Sequence, residues 1–337
     1  MRVAFFEVKD WERSYLTERL PHDTSYFDAG ALSAPSAGGQ PENLPRDIDA
    51  LSVFIHSQLT PQVLEMLPKL KFIATRSTGF DHIDLNACTS RGIVVSNVPS
   101  YGENTVAEHT IALLLMMSRK VHQSVVQVRS GRVDLAELTG FDLQGKTIGV
   151  IGVGHIGLHV IRIARGFGMR VVAYDVRMEP FLADLLGFSY VSMDQLLAES
   201  DIVSLHCPLT DKTHHMIGRT QFSRMKRGAL LINTSRGGLV DTDALVGALE
   251  SGRLGGAGLD VLEGEELIKE EKQLLQQSVD VDRLRTAVRN RVLLSREDVV
   301  FTPHNAFNSR EALVRILEVT LANLEAFRAG QPVHRVC

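Results

Sequence analysis

Short apolar runs alternate with longer stretches of helical period along nearly the whole chain, which is the rhythm of an α/β protein. Runs at residues 3–7, 52–55, 72–75 and 93–96 predict the strands of a first unit. A long helix is expected from about Glu103 to about Val128. Its VAEHTIALLLMMSRKV stretch is apolar on more than one face, which predicts burial. A second series begins at Lys146, with strand candidates at 147–151, 170–174, 202–205, 229–233, 256–259 and 299–302. Helical patterns separate them, as a doubly wound parallel sheet requires. One last helix is expected over 309–329. The stretch from Glu265 to Asp298 stands apart, charged and long for a connection inside a compact domain. It reads either as a solvated helical excursion or as a lid.

Composition narrows the class without changing that picture. A length of 337 residues suggests two domains, and 44% hydrophobic with 23% charged residues is ordinary for a soluble globular protein. The net charge of −4 predicts no pull toward nucleic acid or an anionic membrane. The opening apolar run, Met1 to Phe6, is too short for a signal peptide, and no run reaches bilayer-spanning length. Cys88, Cys207 and Cys337 form no CxxC, so neither a disulfide framework nor a cysteine zinc site is expected. A cytoplasmic location is the expectation.

The first chemical signal is Gly152-Val153-Gly154-His155-Ile156-Gly157, which follows a strand candidate and opens a helical pattern. That context turns a weak GxGxxG match into a dinucleotide site. Gly152 permits the tight turn, Gly154 lets the backbone approach a pyrophosphate, and Gly157 lets helix and strand pack closely. The helix N-terminus offers unpaired N–H groups to the phosphates. Asp175 ends the next strand, about 20 residues downstream, where a carboxylate binds ribose hydroxyls and repels a 2′-phosphate. NAD is therefore expected over NADP, with Arg177 the one nearby feature that softens the discrimination.

Three further strings follow strand candidates: Asn233-Thr234-Ser235-Arg236-Gly237, Asp260 to Glu265, and Thr302-Pro303-His304-Asn305-Ala306. Strand C-terminal ends of an open parallel sheet converge on one edge, where ligands bind. Singly, Arg236 reads as a surface arginine, Glu265 as one of an acidic cluster, and His304 as a loop histidine. Jointly they match reduction of a 2-keto acid. Arginine's planar fork suits a carboxylate and a polarised carbonyl, and histidine delivers a proton near neutral pH. A neighbouring carboxylate orients that imidazole and favours its charged form.

With these motifs the chain resembles the D-isomer-specific 2-hydroxyacid dehydrogenases over nearly its whole length, particularly the D-lactate dehydrogenase-like branch. The segments TRSTGFDHID from Thr75, NVPSYGENTVAEHT from Asn97 and LHCPLT from Leu205 carry the same resemblance. It implies a Rossmann-type doubly wound sheet (104–303) inserted into a smaller flavodoxin-like α/β substrate domain (1–103 and 304–337). It implies Arg236 as the orienting cation, His304 as acid/base, and Glu265 as the partner of His304. Backbone N–H groups of Ser77, Thr78 and Gly79 would take the substrate carboxylate, and Tyr101 would line the substrate pocket. Val106, His155, Ile156, Cys207, Pro208, Thr234, Ser235 and Asp260 match cofactor-contacting positions, and no metal is implied. A homodimer formed through the nucleotide domain is expected.

Two departures border the substrate: Glu266 stands where many relatives have proline after the catalytic Glu, and Asn305 where a small or aliphatic residue is common. The resulting expectation is NAD-dependent reduction of a small 2-keto acid, pyruvate to D-lactate first. Alternatives are a glyoxylate or hydroxypyruvate reductase, a phosphoglycerate dehydrogenase, and an NAD(H)-sensing corepressor-like protein with little turnover.

Overall fold

The computed structural model describes residues 1–20, 25–33, 45–265 and 281–337. The chain divides into two compact units, Met1–Tyr101 with Ser309–Cys337, and Gly102–Asn308. The crossovers fall after Tyr101 and Asn308 rather than at 103 and 304, so His304 stands in the second unit. The reason is local: the His304 loop is hydrogen-bonded to Asp260 of that unit.

The first unit is built on β1 (Val3–Phe5), β2 (Ser25–Phe27), β3 (Ala50–Val53), β4 (Phe72–Thr75) and β5 (Val94–Ser96). They form one parallel sheet of order β2-β1-β3-β4-β5, the flavodoxin-like order. β1, β3 and β4 are buried along their whole length, as continuous apolar strands covered on both faces must be. The helix Arg310–Arg328, capped by Ser309, brings the end of the chain back to this unit. Its Leu317 and Leu324 share a core with Val3, Phe5 and Phe72, and Phe327 stacks on Phe72 at 4.4 Å.

The second unit contains β6 (Thr147–Ile151), β7 (Arg170–Tyr174), β8 (Ser189–Tyr190), β9 (Ile202–Leu205), β10 (Ala229–Asn233), β11 (Leu254–Leu259) and β12 (Val299–Phe301). The order is β12-β11-β10-β9-β6-β7-β8, all parallel. β6 is hydrogen-bonded to both β7 and β9, so the winding reverses there and opens the crevice that dinucleotides use.

The expected long helix is two helices, Glu103–Ser118 and Val121–Arg129, separated by Lys120 in the left-handed region at φ 51°. The break has a packing cause. Phe141 N–H donates to the Ser118 carbonyl at 2.8 Å, and a Cβ on Gly140 would lie 2.2 Å from the same oxygen. The returning chain thus occupies the place of the next helical turn. The first of the two helices is buried as expected, nested on β11: a Cβ on Gly256 would lie 2.7 Å from Met117 Cε. Of the excursion expected to begin after Glu265, residues 266–280, including Glu266, lie outside the described residues. The helix Val281–Leu294 is described, and its Leu293 joins the core of the second unit. Among the described residues no helix is long and apolar enough to cross a membrane.

Candidate active site

All five residues of β6 are buried, and the strand runs into the glycine loop. Gly152 sits at φ +95°, and a Cβ there would meet the His206 carbonyl carbon at 2.6 Å and Cys207 N at 2.7 Å. A Cβ on Gly157 would lie 2.1 Å from Gly152 O. Both positions therefore need glycine on steric grounds. Gly154 is different, because a Cβ there meets nothing within 4 Å. That open space lies at the N-terminus of the helix His155–Gly166, where a pyrophosphate approaches backbone N–H groups. Asp175, just beyond β7, is held at the loop: its Oδ2 accepts from Val153 N–H at 2.6 Å and its Oδ1 from Arg177 N–H at 2.8 Å. A carboxylate has acceptor capacity beyond these two bonds, so the residues present fit a dinucleotide with free ribose hydroxyls.

The other expected cofactor positions surround this loop or belong to neighbouring strand ends. The Cys207 thiol turns to Met216 Sδ at 3.5 Å, and burial pushes its pKa up to about 11. Its side chain is thus inert, and its backbone N packs against Gly152. The Pro208 carbonyl accepts from Thr213 Oγ1, and Thr234 Oγ1 lies 2.8 Å from Thr110 Oγ1, on the buried helix that also carries Val106. Ser235 Oγ donates to the Leu205 carbonyl at 3.0 Å. His155 and Ile156 form the first turn of the glycine-loop helix.

His206 was not expected to matter. Its Nε2 lies 2.8 Å from Ser204 Oγ, its buried Nδ1 has no partner, and burial lowers its pKa from 6.5 to about 3. The folded protein then binds fewer protons than the unfolded chain between those values. Stability is complete above about 6.5 and declines as pH falls toward 3. His206→Gln is expected to flatten that decline, read from urea unfolding at about pH 7 and about pH 5. An equal pH difference in both proteins would show that the ring is not the source.

Arg236, Glu265 and His304 all belong to the second unit, on loops after β10, β11 and β12. The buried Asn233 organises the first loop, its Nδ2 donating to the Arg236 carbonyl and its Oδ1 accepting from Ser235 N–H. Arg236 itself is half-buried, and its Nη1 donates to the Ser235 carbonyl at 2.8 Å. Glu265 Oε1 lies 2.6 Å from His304 Nδ1, with about 30% and 27% of the two side chains exposed. The Glu265 carboxylate also accepts from Leu262 N–H. Because a carboxylate can only accept, Nδ1 carries the proton of this bond, and Nε2 is the ring atom left for exchange.

Asp260 underlies this pair, a role its motif position did not reveal. The fully buried carboxylate accepts from Thr302 Oγ1 at 2.5 Å, Asn305 N–H at 2.9 Å and Ala306 N–H at 2.8 Å. Its backbone carbonyl accepts from His304 N–H, and His304 sits at φ 52°. His109, from the buried helix, lies 3.5 Å from the carboxylate and 2.9 Å from Thr302 Oγ1. Burial pushes the Asp260 pKa up, but the bonds from His109, Thr302, Ala306 and Asn305 outweigh it and hold the carboxyl below its ordinary range. His109 carries no sequence signal, because nothing in a helical pattern shows that it faces a strand end.

In the first unit, the Ser77–Gly79 loop follows β4. Ser77 Oγ donates to the Gly79 carbonyl at 2.6 Å, and Thr78 Oγ1 to the Val98 carbonyl at 2.8 Å. Both hydroxyls are thus used in holding the loop. The preceding Arg76 is fully buried and donates to the carbonyls of Phe6 and Glu7 and to Ser52 Oγ. The Tyr101 carbonyl accepts from Arg315 Nε.

Residues 111–306 match the family model for the NAD binding domain of D-isomer specific 2-hydroxyacid dehydrogenase. The chain is 37% identical to the D-lactate dehydrogenase of Escherichia coli (strain K12) over 340 residues, which cover 98% of each protein. It is 41% identical to a glyoxylate reductase of Korarchaeum cryptofilum over 291 residues, 85% of this chain and 81% of that protein. Among solved structures it is similar to the D-lactate dehydrogenase of Aquifex aeolicus, complexed with NAD and lactic acid. The TM-score there is 0.85 at 37% identity, covering 98% of this chain and 96% of that one. The glycine loop, the reversed winding at β6 and these whole-length matches agree: the chain belongs to the D-isomer-specific 2-hydroxyacid dehydrogenases and is an NAD-dependent oxidoreductase.

Proposed function

We propose that this dehydrogenase reduces a small 2-keto acid, pyruvate first among them, to the D-2-hydroxy acid, with His304 as the proton donor. The observation that carries the reading is the 2.6 Å His304–Glu265 bond at a strand end of the NAD-binding sheet. The bound NADH supplies the hydride. His304 Nε2 gives its proton to the carbonyl oxygen as the alcohol forms, while Glu265 holds the ring by its bond to Nδ1. Arg236 polarises the carbonyl and pairs with the substrate carboxylate. Backbone N–H groups of Ser77, Thr78 and Gly79 bind that carboxylate, a reading supported by hydroxyls that serve their own loop. Tyr101 bounds the space for the substrate's side chain.

The similar proteins include a D-lactate dehydrogenase and a glyoxylate reductase, so the substrate is decided by assay. With NADH and pyruvate, glyoxylate, hydroxypyruvate or a bulkier keto acid, kcat/KM is expected to be highest for pyruvate. Higher values for glyoxylate or hydroxypyruvate would move the assignment to that reductase. No NADH oxidation with any of them would reject it.

Gly152, Gly154, Gly157, Asp175 and the strand-end residues around them hold the cofactor in this reading. Asp175→Ala is expected to raise the NADPH-to-NADH ratio of kcat/KM, because a carboxylate repels the 2′-phosphate. An unmoved ratio would place the selectivity elsewhere.

The enzyme is read as a cytoplasmic homodimer. Its described cysteines are all free thiols. Val125, Val126, Val128, Val133 and Leu135 form an exposed apolar run after the break at Lys120, suited to a second copy of the chain.

A further inference from the structure

We propose that His214, His215 and Glu263 form a binding site for a divalent transition-metal cation of the zinc, cobalt or nickel class. The ligand atoms of the three side chains all lie within 4.8 Å of one another. His215 Nε2 is 2.8 Å from Glu263 Oε1, and His214 Nε2 is 3.9 Å from the same oxygen. Metal–ligand bonds of about 2.0–2.1 Å place the donors of a tetrahedral zinc site about 3.3 Å apart. The two separations from Glu263 bracket that spacing and all three donors lie within 4.8 Å of one another, so side-chain rotation that draws the two imidazoles together would seat a cation.

A hydrogen bond alone accounts for only half of this arrangement. One histidine satisfies Glu263 Oε1, yet a second ring turns its Nε2 toward the same oxygen from beyond hydrogen-bond range. The two imidazoles stack at 3.9 Å with 25° between their planes. Successive side chains of an extended backbone point to opposite sides. Here His215 takes a left-handed conformation, φ 52°, and both rings reach one carboxylate. Non-glycine residues adopt that conformation uncommonly, and such strain gathers at ligand sites.

The surroundings hold the donors in place. Glu263 Oε2 accepts from Thr242 Oγ1 at 3.1 Å, and the Glu263 carbonyl accepts from Asn290 Nδ2 at 3.0 Å. His215 N–H donates to the Gly238 carbonyl at 2.8 Å. Gly237 packs so closely on the Glu263 loop that a Cβ there would lie 2.4 Å from Glu263 N. Three loops are thus clamped together, with the Thr242 hydroxyl as the orienting partner that metal-bound carboxylates use. Two imidazoles and one carboxylate select zinc-class cations over calcium or magnesium, which prefer all-oxygen sets. His214 is half exposed, so a cation can enter and keep a water in the fourth position.

The test is cation binding by the NADH-bound enzyme after chelator treatment, and it does not depend on the substrate. Calorimetry with Zn²⁺ is expected to show one cation per chain, and Co²⁺ should give the intense visible absorption of a tetrahedral site. Combining His214→Ala with Glu263→Gln should remove both signals while NADH binding persists. If that pair of changes costs NADH binding, His214→Ala alone, at an exposed position, makes the same comparison. Thr242→Val, which keeps all three donors, should weaken Zn²⁺ by about 10–100-fold. Zn²⁺ binding retained in the donor variants, or no stoichiometric uptake by the parent enzyme, would overturn the proposal.

Discussion

His304→Ala is expected to lower kcat for keto-acid reduction by about 10²–10⁴-fold while NADH affinity stays near that of the parent. The size follows from removing the proposed proton donor at a carbonyl that must gain a hydride and a proton together. Hydride arrival without a proton would leave an alkoxide, and water delivers protons to it less effectively than a positioned imidazole. NADH binding should persist because the glycine loop and Asp175 belong to the β6 and β7 strand ends, separate from the β12 loop. Stopped-flow fluorescence gives the NADH affinity and steady-state assays give kcat. Full turnover in the variant would remove His304 from the reaction. Glu265→Gln serves as the graded control: it keeps a hydrogen-bond acceptor for Nδ1 but loses the charge beside the imidazolium. Its loss of kcat should lie between parent and His304→Ala.

Arg236→Gln is expected to lower kcat/KM by about 10²–10³-fold, the cost of deleting one preorganised donor at developing negative charge. Both constants should suffer if, as proposed, the guanidinium serves the substrate carboxylate in the ground state and the carbonyl oxygen in the transition state. Arg236→Lys should recover little, since an ammonium is a point charge without the planar fork. The loop should survive either change. It is held by Asn233 and Ser235 through bonds to the Arg236 carbonyl, Ser235 N–H and the Leu205 carbonyl, none of which uses the guanidinium. A kcat/KM within a few-fold of the parent's would place the cation's role elsewhere.

How far the chain could be read beforehand differs from element to element. β4, β6, β7, β9 and β10 occupy the segments their apolar runs predict, because strands covered on both faces need uninterrupted hydrophobic sequence. β2 and β8, of three and two residues, are edge strands of their sheets, and serine and tyrosine fill most of their positions in place of an aliphatic run. The helix break at Lys120 was equally hidden. It depends on Gly140 and Phe141, about 20 residues downstream, coming back against the Ser118 carbonyl.

The site divides in the same way. The nucleotide loop was legible because sterics at Gly152 and Gly157 admit only glycine, so the need is written as a residue type at a fixed spacing. Arg236, Glu265 and His304 were legible as strand-end residues, and the pairing of Glu265 with His304 was what the family resemblance implied; the 2.6 Å bond is there. What supports that pair could not be read. Asp260 binds Thr302, Asn305 and Ala306 across more than 40 residues, and His109 reaches Thr302 across 193. His214, His215 and Glu263 likewise meet only because the loops after β9 and β11 are clamped through Gly237 and Gly238.

The sequence by itself determined the α/β architecture, the GxGxxG loop, the acidic residue that follows the next strand, and the arginine, glutamate and histidine on three strand-end loops. Each is a local requirement of backbone sterics or chemistry, expressed within a few consecutive residues. Only the tertiary structure decided which nitrogen of His304 Glu265 engages, that Asp260 anchors the His304 loop, and that two adjacent histidines turn toward one carboxylate. Those are distances between residues far apart in the chain, and packing alone sets them.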